Sequence, residues 1–387
     1  MGKEFDQRNS KHIMKVGILT RRAGFNLGSS LQAYAIAKLF AENGCECKII
    51  NYDELSAHLL WRIKPIIDDI QWALFQKLSI LRKINKYRYL FIRNLQYSKF
   101  LKFEKDFLPL TSKVCRSNYD LMVAAKEFQI IVCGSDQIWS PFLFDSAFYF
   151  GFLSERKNIR TIAYAPSIGT SNPSLISTKQ VNLIKKIDYV SCREEDGSAI
   201  IKNIINRDVP VVLDPTLMIH YSEWDSLADS IQLLESSPYI LCYFLGSNIP
   251  QKYISELSEL TGCKILNIQM FNRMNNLQSD REITDIGPCE FLNLIKNATW
   301  VCTDSFHATI FSYIYKRKMS IFERFKSTDK LNQNSRIHTL VNLLKIKWAL
   351  TSLNETPDLT KLDLMRFDSE SLKYWQLQSL NFIKTSI

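Results

Sequence analysis

Short apolar runs, each broken by a polar turn, constrain this chain more than any other feature. Gln129–Gly134, Thr161–Ser167, Tyr189–Arg193 and Val209–Leu213 are rich in β-branched and apolar residues over strand-like lengths. Runs of this kind, separated by helical patterns, read as strands buried on both faces of a parallel sheet. They lead into Gly134-Ser135-Asp136-Gln137, Pro166-Ser167-Ile168-Gly169, Arg193-Glu194-Glu195 and Asp214-Pro215-Thr216. Open parallel α/β sheets bind ligands outside the carboxyl ends of their strands. These turns are therefore expected to line a site.

The same alternation opens the chain. Val16–Thr20 reads as a strand, residues 21–29 as a glycine-containing loop, Leu31–Phe40 as an amphipathic helix closed by Asn43-Gly44, and Cys47–Tyr52 as the next strand. The loop lacks Gly-x-Gly-x-x-Gly, so no dinucleotide fingerprint is present. A second set begins at Tyr239–Leu245. It continues with a helix near Ser255, the strand Lys264–Ile268, a helix opened by Gly287-Pro288, the strand Met319–Phe322, a helix capped by Ser335, and a last helix over Ser369–Phe382. A chain of 387 residues exceeds the roughly 250–300 at which one core stops growing. Two α/β domains are expected, 1–220 and 221–387, with Asp214–Pro238 as the bridge.

Between about residues 55 and 108 the pattern changes to a helical, basic and aromatic insertion in the first domain. Trp61, Ile63, Ile66, Trp72 and Phe75 alternate with Arg62, Lys64, Lys77, Arg82 and Lys83. Two placements fit: packed on the first domain with a solvated basic face, or lying on an anionic leaflet.

Trp300–Lys316 carries the clearest chemical signal. Thr299–Cys302 reads as a buried strand, and from Ser305 the period becomes helical through Phe306, Ile310, Tyr313 and Ile314. Thr303, Asp304 and Ser305 can each cap the helix. His307 then lies in the first turn, where free N–H groups and the helix dipole favour an anion. A titratable imidazole beside an anion cradle is a candidate catalytic centre; a core or surface histidine is the plainer alternative.

The net charge of +10 and pI near 9.0 point to an anionic partner. No nucleic-acid-binding module is recognisable, which leaves phosphorylated metabolites or an anionic membrane surface. No run is long and apolar enough for a membrane span, and the start MGKEFDQRNSKHIMK has no apolar signal core. The nine cysteines are scattered without a Cys-x-x-Cys pair and are expected to be reduced core residues in a cytoplasmic protein. No acidic cluster has metal-ligand spacing, so no metal is expected.

Taken together, Asn26–Ala35, Gly134–Trp139, Ala163–Ser167, Asp214-Pro215-Thr216, Thr303–His307 and Asn334–Ile337 resemble the polysaccharide pyruvyl transferase family, over about Val16 to Leu344. Leu27 stands where that family usually has an aromatic residue, and Ala308 where Gly commonly follows the histidine. The resemblance implies two Rossmann-like domains facing a cleft in a GT-B-like arrangement. It also implies transfer of a pyruvyl unit from phosphoenolpyruvate to two sugar hydroxyls of a glycan or lipid-linked acceptor, with no cofactor. On the matching positions, His307 and Arg193 are the catalytic candidates. Asn26, Gly28, Ser135, Asp136, Gln137, Ser305 and Arg336 are the substrate-binding candidates. A metal-independent GT-B-like glycosyltransferase using a nucleotide sugar, and a non-catalytic glycan-assembly protein in peripheral contact with an anionic membrane, are the competing readings.

Overall fold

The computed structural model describes residues 13–22, 25–53, 80–153, 158–271, 274–326, 329, 332–362 and 365–387, without the side chains of 80–90 and 361–362. The first sheet contains β1 (Lys15–Leu19), β2 (Glu46–Ile49), β3 (Ile130–Gly134), β4 (Arg160–Tyr164) and β5 (Tyr189–Val190), in the order β2-β1-β3-β4-β5. The second contains β6 (Tyr239–Tyr243), β7 (Lys264–Ile268), β8 (Arg281–Ile283), β9 (Trp300–Thr303) and β10 (Lys318–Ile321), in the order β10-β9-β6-β7-β8. Every strand pair in both is parallel. The strands are apolar along their length because helices cover both faces. The expected two-domain α/β architecture, with two Rossmann-like units facing a cleft as in a GT-B-like arrangement, is present.

Strand order reverses between β1 and β3 in the first sheet and between β6 and β9 in the second. Such reversals part the connecting loops and open a crevice at the carboxyl edge. Around the sheets lie α1 (Leu27–Glu42), α2 (Ile80–Phe107), α3 (Asn118–Ala125), α4 (Thr178–Ile184), α5 (Glu195–Ile205), α6 (Tyr221–Ala228), α7 (Gln251–Thr261), α8 (Pro288–Asn297), α9 (Phe306–Ile314), α10 (Ser335–Leu343) and α11 (Ser369–Ser386).

One apolar cluster runs through both domains. Tyr34 of α1 meets Trp224 of α6 at 5.8 Å between ring centroids, and Trp224 meets Phe311 of α9 edge-on at 4.9 Å. The last helix crosses back to the first domain: Leu213 N donates to Ser379 Oγ (2.9 Å), Gln376 Nε2 donates to the Leu217 carbonyl (2.7 Å), and Phe382 lies against Tyr164.

Several local expectations change. Val209–Leu213 is not a strand. Only Val211 bridges to Cys192, since Pro210 has no N–H to extend a ladder. The first helix begins at Leu27, four residues earlier than the periodicity suggested, because Asn26 caps it by accepting from Gly28 N and Ser29 N. Asn334, not Ser335, holds the N-cap position of α10, and its side chain bonds both backbone groups of Phe325.

The helical part of the insertion also behaves differently. Residues 54–79, including Trp61, Trp72, Arg62 and Lys64, lie outside the described residues. From residue 91 onward α2 packs on the second domain as well as the first. Gln96 is fully buried: its Nε2 donates to the Gln269 and Thr284 carbonyls (2.8 and 2.9 Å), and its Oε1 accepts from Phe271 N (3.1 Å). Lys99 Nζ adds a 2.7 Å bond to Glu290 on α8. Among the described residues no helix is long and apolar enough to cross a membrane.

Gln96→Leu would remove the side-chain partner of the Gln269 and Thr284 carbonyls and of Phe271 N, at roughly 1–3 kcal/mol per desolvated group before relaxation. The variant is expected to melt several degrees lower than the parent in a thermal scan, and an unchanged melting temperature would show that α2 is not an interdomain clamp.

Candidate active site

The candidate residues come from the carboxyl edges of both sheets. Ser135, Asp136 and Gln137 follow β3, Arg193 follows β5, and Asp214 follows the single bridge at Val211. From the second domain, Ser305 and His307 open α9, Arg324 lies beyond β10, and Arg336 lies in the first turn of α10. Apart from Gln137, Arg324 and the exposed helix cap Asn26, these side chains are buried.

Asp214 is the common partner. Its Oδ2 accepts from Arg193 Nη1 at 2.8 Å, lies 3.1 Å from Ser135 Oγ, and faces His307 Nε2 at 3.7 Å. Its Oδ1 accepts from Thr216 N (3.0 Å) and Thr216 Oγ1 (2.7 Å). Burial alone would raise this carboxyl, but the neighbouring His307 and Arg193 and the Thr216 hydroxyl outweigh it and hold Asp214 well below the usual carboxylate range. Asp136 follows the same pattern. Burial opposes ionisation, yet Arg193 and His307, with Ser29 Oγ donating to Oδ2 at 2.5 Å, hold it low.

Arg193 is fixed on three sides. Asp214 takes Nη1, Asp136 Oδ1 lies 3.7 Å from Nη2, and the guanidinium covers the Phe306 ring at 4.2 Å. Its Nε and Nη2 are buried without a hydrogen-bond partner, and so is His307 Nε2. Unpaired buried donors are costly, and a group of them at one place fits an acceptor-rich ligand.

Two more arginines sharpen that reading. Arg336 reaches Gln333 O and Oε1, both at 3.3 Å, and Gln333 Oε1 also accepts from Gln137 Nε2 (2.8 Å) across the cleft. Burial, then repulsion from Arg324 and Arg193, pushes the Arg336 guanidinium down to about 9, so it stays charged at neutral pH in an unfavourable field. Bound anionic charge would relieve that repulsion. Arg324 Nη2 donates to the Asp304 carbonyl (3.1 Å), and its Nε, 3.5 Å from Asp304 Oδ2, has no hydrogen bond.

The first turns of α1 and α9 face each other across the cleft. Gly28 makes this approach feasible: a Cβ there would stand 2.2 Å from His307 Nδ1. Ser305 caps α9 by accepting from Ala308 N (3.4 Å). Asp304 does not cap it, since both its oxygens accept from Leu245 N and Gly246 N at 2.7 Å.

The structure thus brings His307, Arg193, Ser135, Asp136, Gln137, Ser305, Gly28 and Arg336 to one place. Asn26 stands at the margin as a helix cap with its carbonyl used. Arg324 was not anticipated from the sequence, and Asp214 only as part of a turn expected to line the site, with no role of its own. Both follow the carboxyl end of a strand-like run, as does Arg193, which the family resemblance singled out. Among the described residues no three His, Cys, Asp or Glu side chains converge to hold a metal.

The family model for polysaccharide pyruvyl transferase matches residues 26–322. No curated protein matches in sequence. Similar solved structures include UDP-GlcNAc 2-epimerase from Methanocaldococcus jannaschii, with 13% identity, 91% of each chain covered and a TM-score of 0.46. UDP-GlcNAc 2-epimerase from Neisseria meningitidis has 8% identity, 96% of this chain and 100% of that one covered, and a TM-score of 0.49. E. coli ADP-heptose lps heptosyltransferase II has 10% identity, 94% and 99% covered, and a TM-score of 0.41.

Both buried aspartates are depressed below 3.8, so their stabilising contribution is complete above about that pH and is withdrawn as pH falls through their folded values. Melting temperature measured from pH 4.5 down to pH 2.5 is expected to fall less steeply in Asp214→Asn than in the parent. Parallel profiles would show that Asp214 does not carry this acid sensitivity.

Proposed function

The chain belongs to the polysaccharide pyruvyl transferase family, and on that premise we propose that it transfers a pyruvyl group from phosphoenolpyruvate to two hydroxyls of a sugar during cell-surface glycan assembly. The single observation that carries the donor assignment is the arginine trio, in which buried Arg193 and half-buried Arg324 keep unpaired donors and buried Arg336 carries a repelled charge. Phosphoenolpyruvate is a compact polyanion, and guanidinium forks match both its carboxylate and its phosphate.

In the reaction the first sugar hydroxyl adds to the central carbon while the methylene carbon gains a proton. The C–O bond to phosphate then breaks, and the second hydroxyl closes the ketal. Of the two hydroxyl protons, one ends in the new methyl group and the other leaves with phosphate. His307 is the group suited to move these protons: its Nε2 is buried, unpaired and aimed at the Asp214–Arg193 pair. Asp214 holds Arg193 in place and steadies positive charge on the imidazole as the proton passes. The arginines and the first turn of α9 stabilise the departing phosphate. The acceptor is a glycan or lipid-linked sugar in capsule or exopolysaccharide assembly at the cytoplasmic side of a membrane. Charge stabilisation comes from arginine, so the reading needs no metal.

Phosphate release from phosphoenolpyruvate, followed by 31P NMR with a mixture of methyl glycosides as acceptors, tests this. His307→Gln is expected to bind donor normally yet release phosphate on the order of 100-fold more slowly. The parent is expected to keep its rate in EDTA. Full activity of the variant would remove His307 from the mechanism, and loss in EDTA reversed by magnesium would require a metal.

A further inference from the structure

A second cavity, of about 590 Å³, opens at the carboxyl ends of β6 and β7. Its size is that of a small-molecule site. Among the described residues the polar lining is neutral: Ser247 with the amides of Gln251, Asn275, Asn276 and Gln278. Ile249 and Met274 add apolar surface, and no described lining residue is charged. This is the reverse of the arginine-rich cleft beside it.

The amide wall is held in place from beneath. Gln269, buried at the end of β7, donates from Nε2 to the Asn275 carbonyl and accepts from Asn275 N, both at 2.9 Å. Buried Asn267 donates to Asn275 Oδ1 (2.8 Å), and Gln278 N donates to Gln251 Oε1 (2.8 Å). Buried amides with matched partners rigidify a wall instead of destabilising it. The opposite wall, Leu245-Gly246, hangs from the Asp304 carboxylate, three residues before His307. A Cβ on Gly246 would stand 2.7 Å from Arg324 Cγ, so the two sites share this wall. Because β6 lies between β7 and β9, the cavity stands one to two strand spacings, roughly 5–10 Å, from the strand leading to His307.

We propose that this cavity is the acceptor subsite, and that it takes an uncharged pyranose, presenting two of its hydroxyls toward His307. The inference rests on the pyruvyl-transfer reading. A primary amide offers a donor and an acceptor side by side, which matches neighbouring hydroxyls, while the apolar residues suit the C–H face of a sugar ring. The described lining residues carry no charge to offset desolvation of a phosphate or a uronic acid carboxylate.

Saturation-transfer NMR on the full chain tests it, using methyl glycosides of galactose, glucose, mannose and N-acetylglucosamine, with methyl glucuronide and UDP as charged controls. At least one neutral glycoside is expected to bind in preference to both controls. Its affinity is expected to fall about fivefold or more in Ser247→Trp, which fills the mouth, and in an Asn276→Ala, Gln278→Ala double variant, which keeps the backbone. Thermal protection by phosphoenolpyruvate should be unchanged in both. No neutral glycoside binding, binding indifferent to both variants, or stronger binding of a charged control overturns the assignment. If phosphoenolpyruvate fails to protect the parent while glycoside binding still responds to Ser247→Trp, the donor reading falls and the sugar pocket stands.

Discussion

Arg193 and Asp214 meet at 2.8 Å with both side chains removed from solvent, and much of the cleft serves to satisfy that pair. Removing one partner of a buried ion pair typically costs about 3–5 kcal/mol, because the remaining charge is left uncompensated. Thr216 takes the second Asp214 oxygen, Ser135 approaches the first, and Asp136 and the Phe306 ring steady the guanidinium. Phe306 belongs to the second domain, so the pair also joins the two sheets. Satisfaction is incomplete: Arg193 retains two buried unbonded nitrogens and His307 one. A structural ion pair has no need to leave donors unpaired, whereas a ligand site does.

The architecture supplies the rest. Two parallel sheets present their carboxyl edges to one another, and helices α1 and α9 point their first turns into the same space. Gly28 lets the His307 ring approach α1, so a glycine that reads in sequence as turn chemistry acts as a close-contact residue. Two helices keep this interface in register from opposite sides. Helix α2 reaches the second domain through Gln96, and α11 returns to the first through Gln376 and Ser379. The neutral amide cavity and the basic cleft then share the Leu245-Gly246 wall, which places unlike chemistries side by side as a two-substrate transfer requires.

Much of this was legible in the sequence because parallel-sheet strands announce themselves. Apolar runs ending in polar turns located both sheets, and the change of period after Cys302 placed His307 in the first turn of a helix. Arg193 was legible through the family resemblance, at a turn that the strand pattern had already placed at a sheet edge. Asp214 was visible only as an Asp-Pro-Thr turn, since nothing in its neighbours says that its other oxygen faces an arginine and a histidine. Arg324 was equally hidden, because an Arg after a strand is most often solvated. Val209–Leu213 misled because apolar composition cannot report that Pro210 lacks the N–H a ladder needs. The role of Gln96 could not be read from a basic, aromatic run in which it is one amide among many charges; its partners lie more than 170 residues away.

The central claim is that the arginine trio forms a site for a small anion bearing both carboxylate and phosphate. Melting temperature against ligand concentration at fixed ionic strength reads this directly, because a ligand binding only the folded state stabilises it by about 2.7 kcal/mol at a hundredfold excess over Kd. The account predicts that phosphoenolpyruvate raises the melting temperature more than inorganic phosphate and more than UDP, and that Arg336→Met loses most of that excess without melting lower in anion-free buffer. Strong protection by UDP with no excess of phosphoenolpyruvate over phosphate would contradict it and return the cleft to a nucleotide-sugar glycosyltransferase.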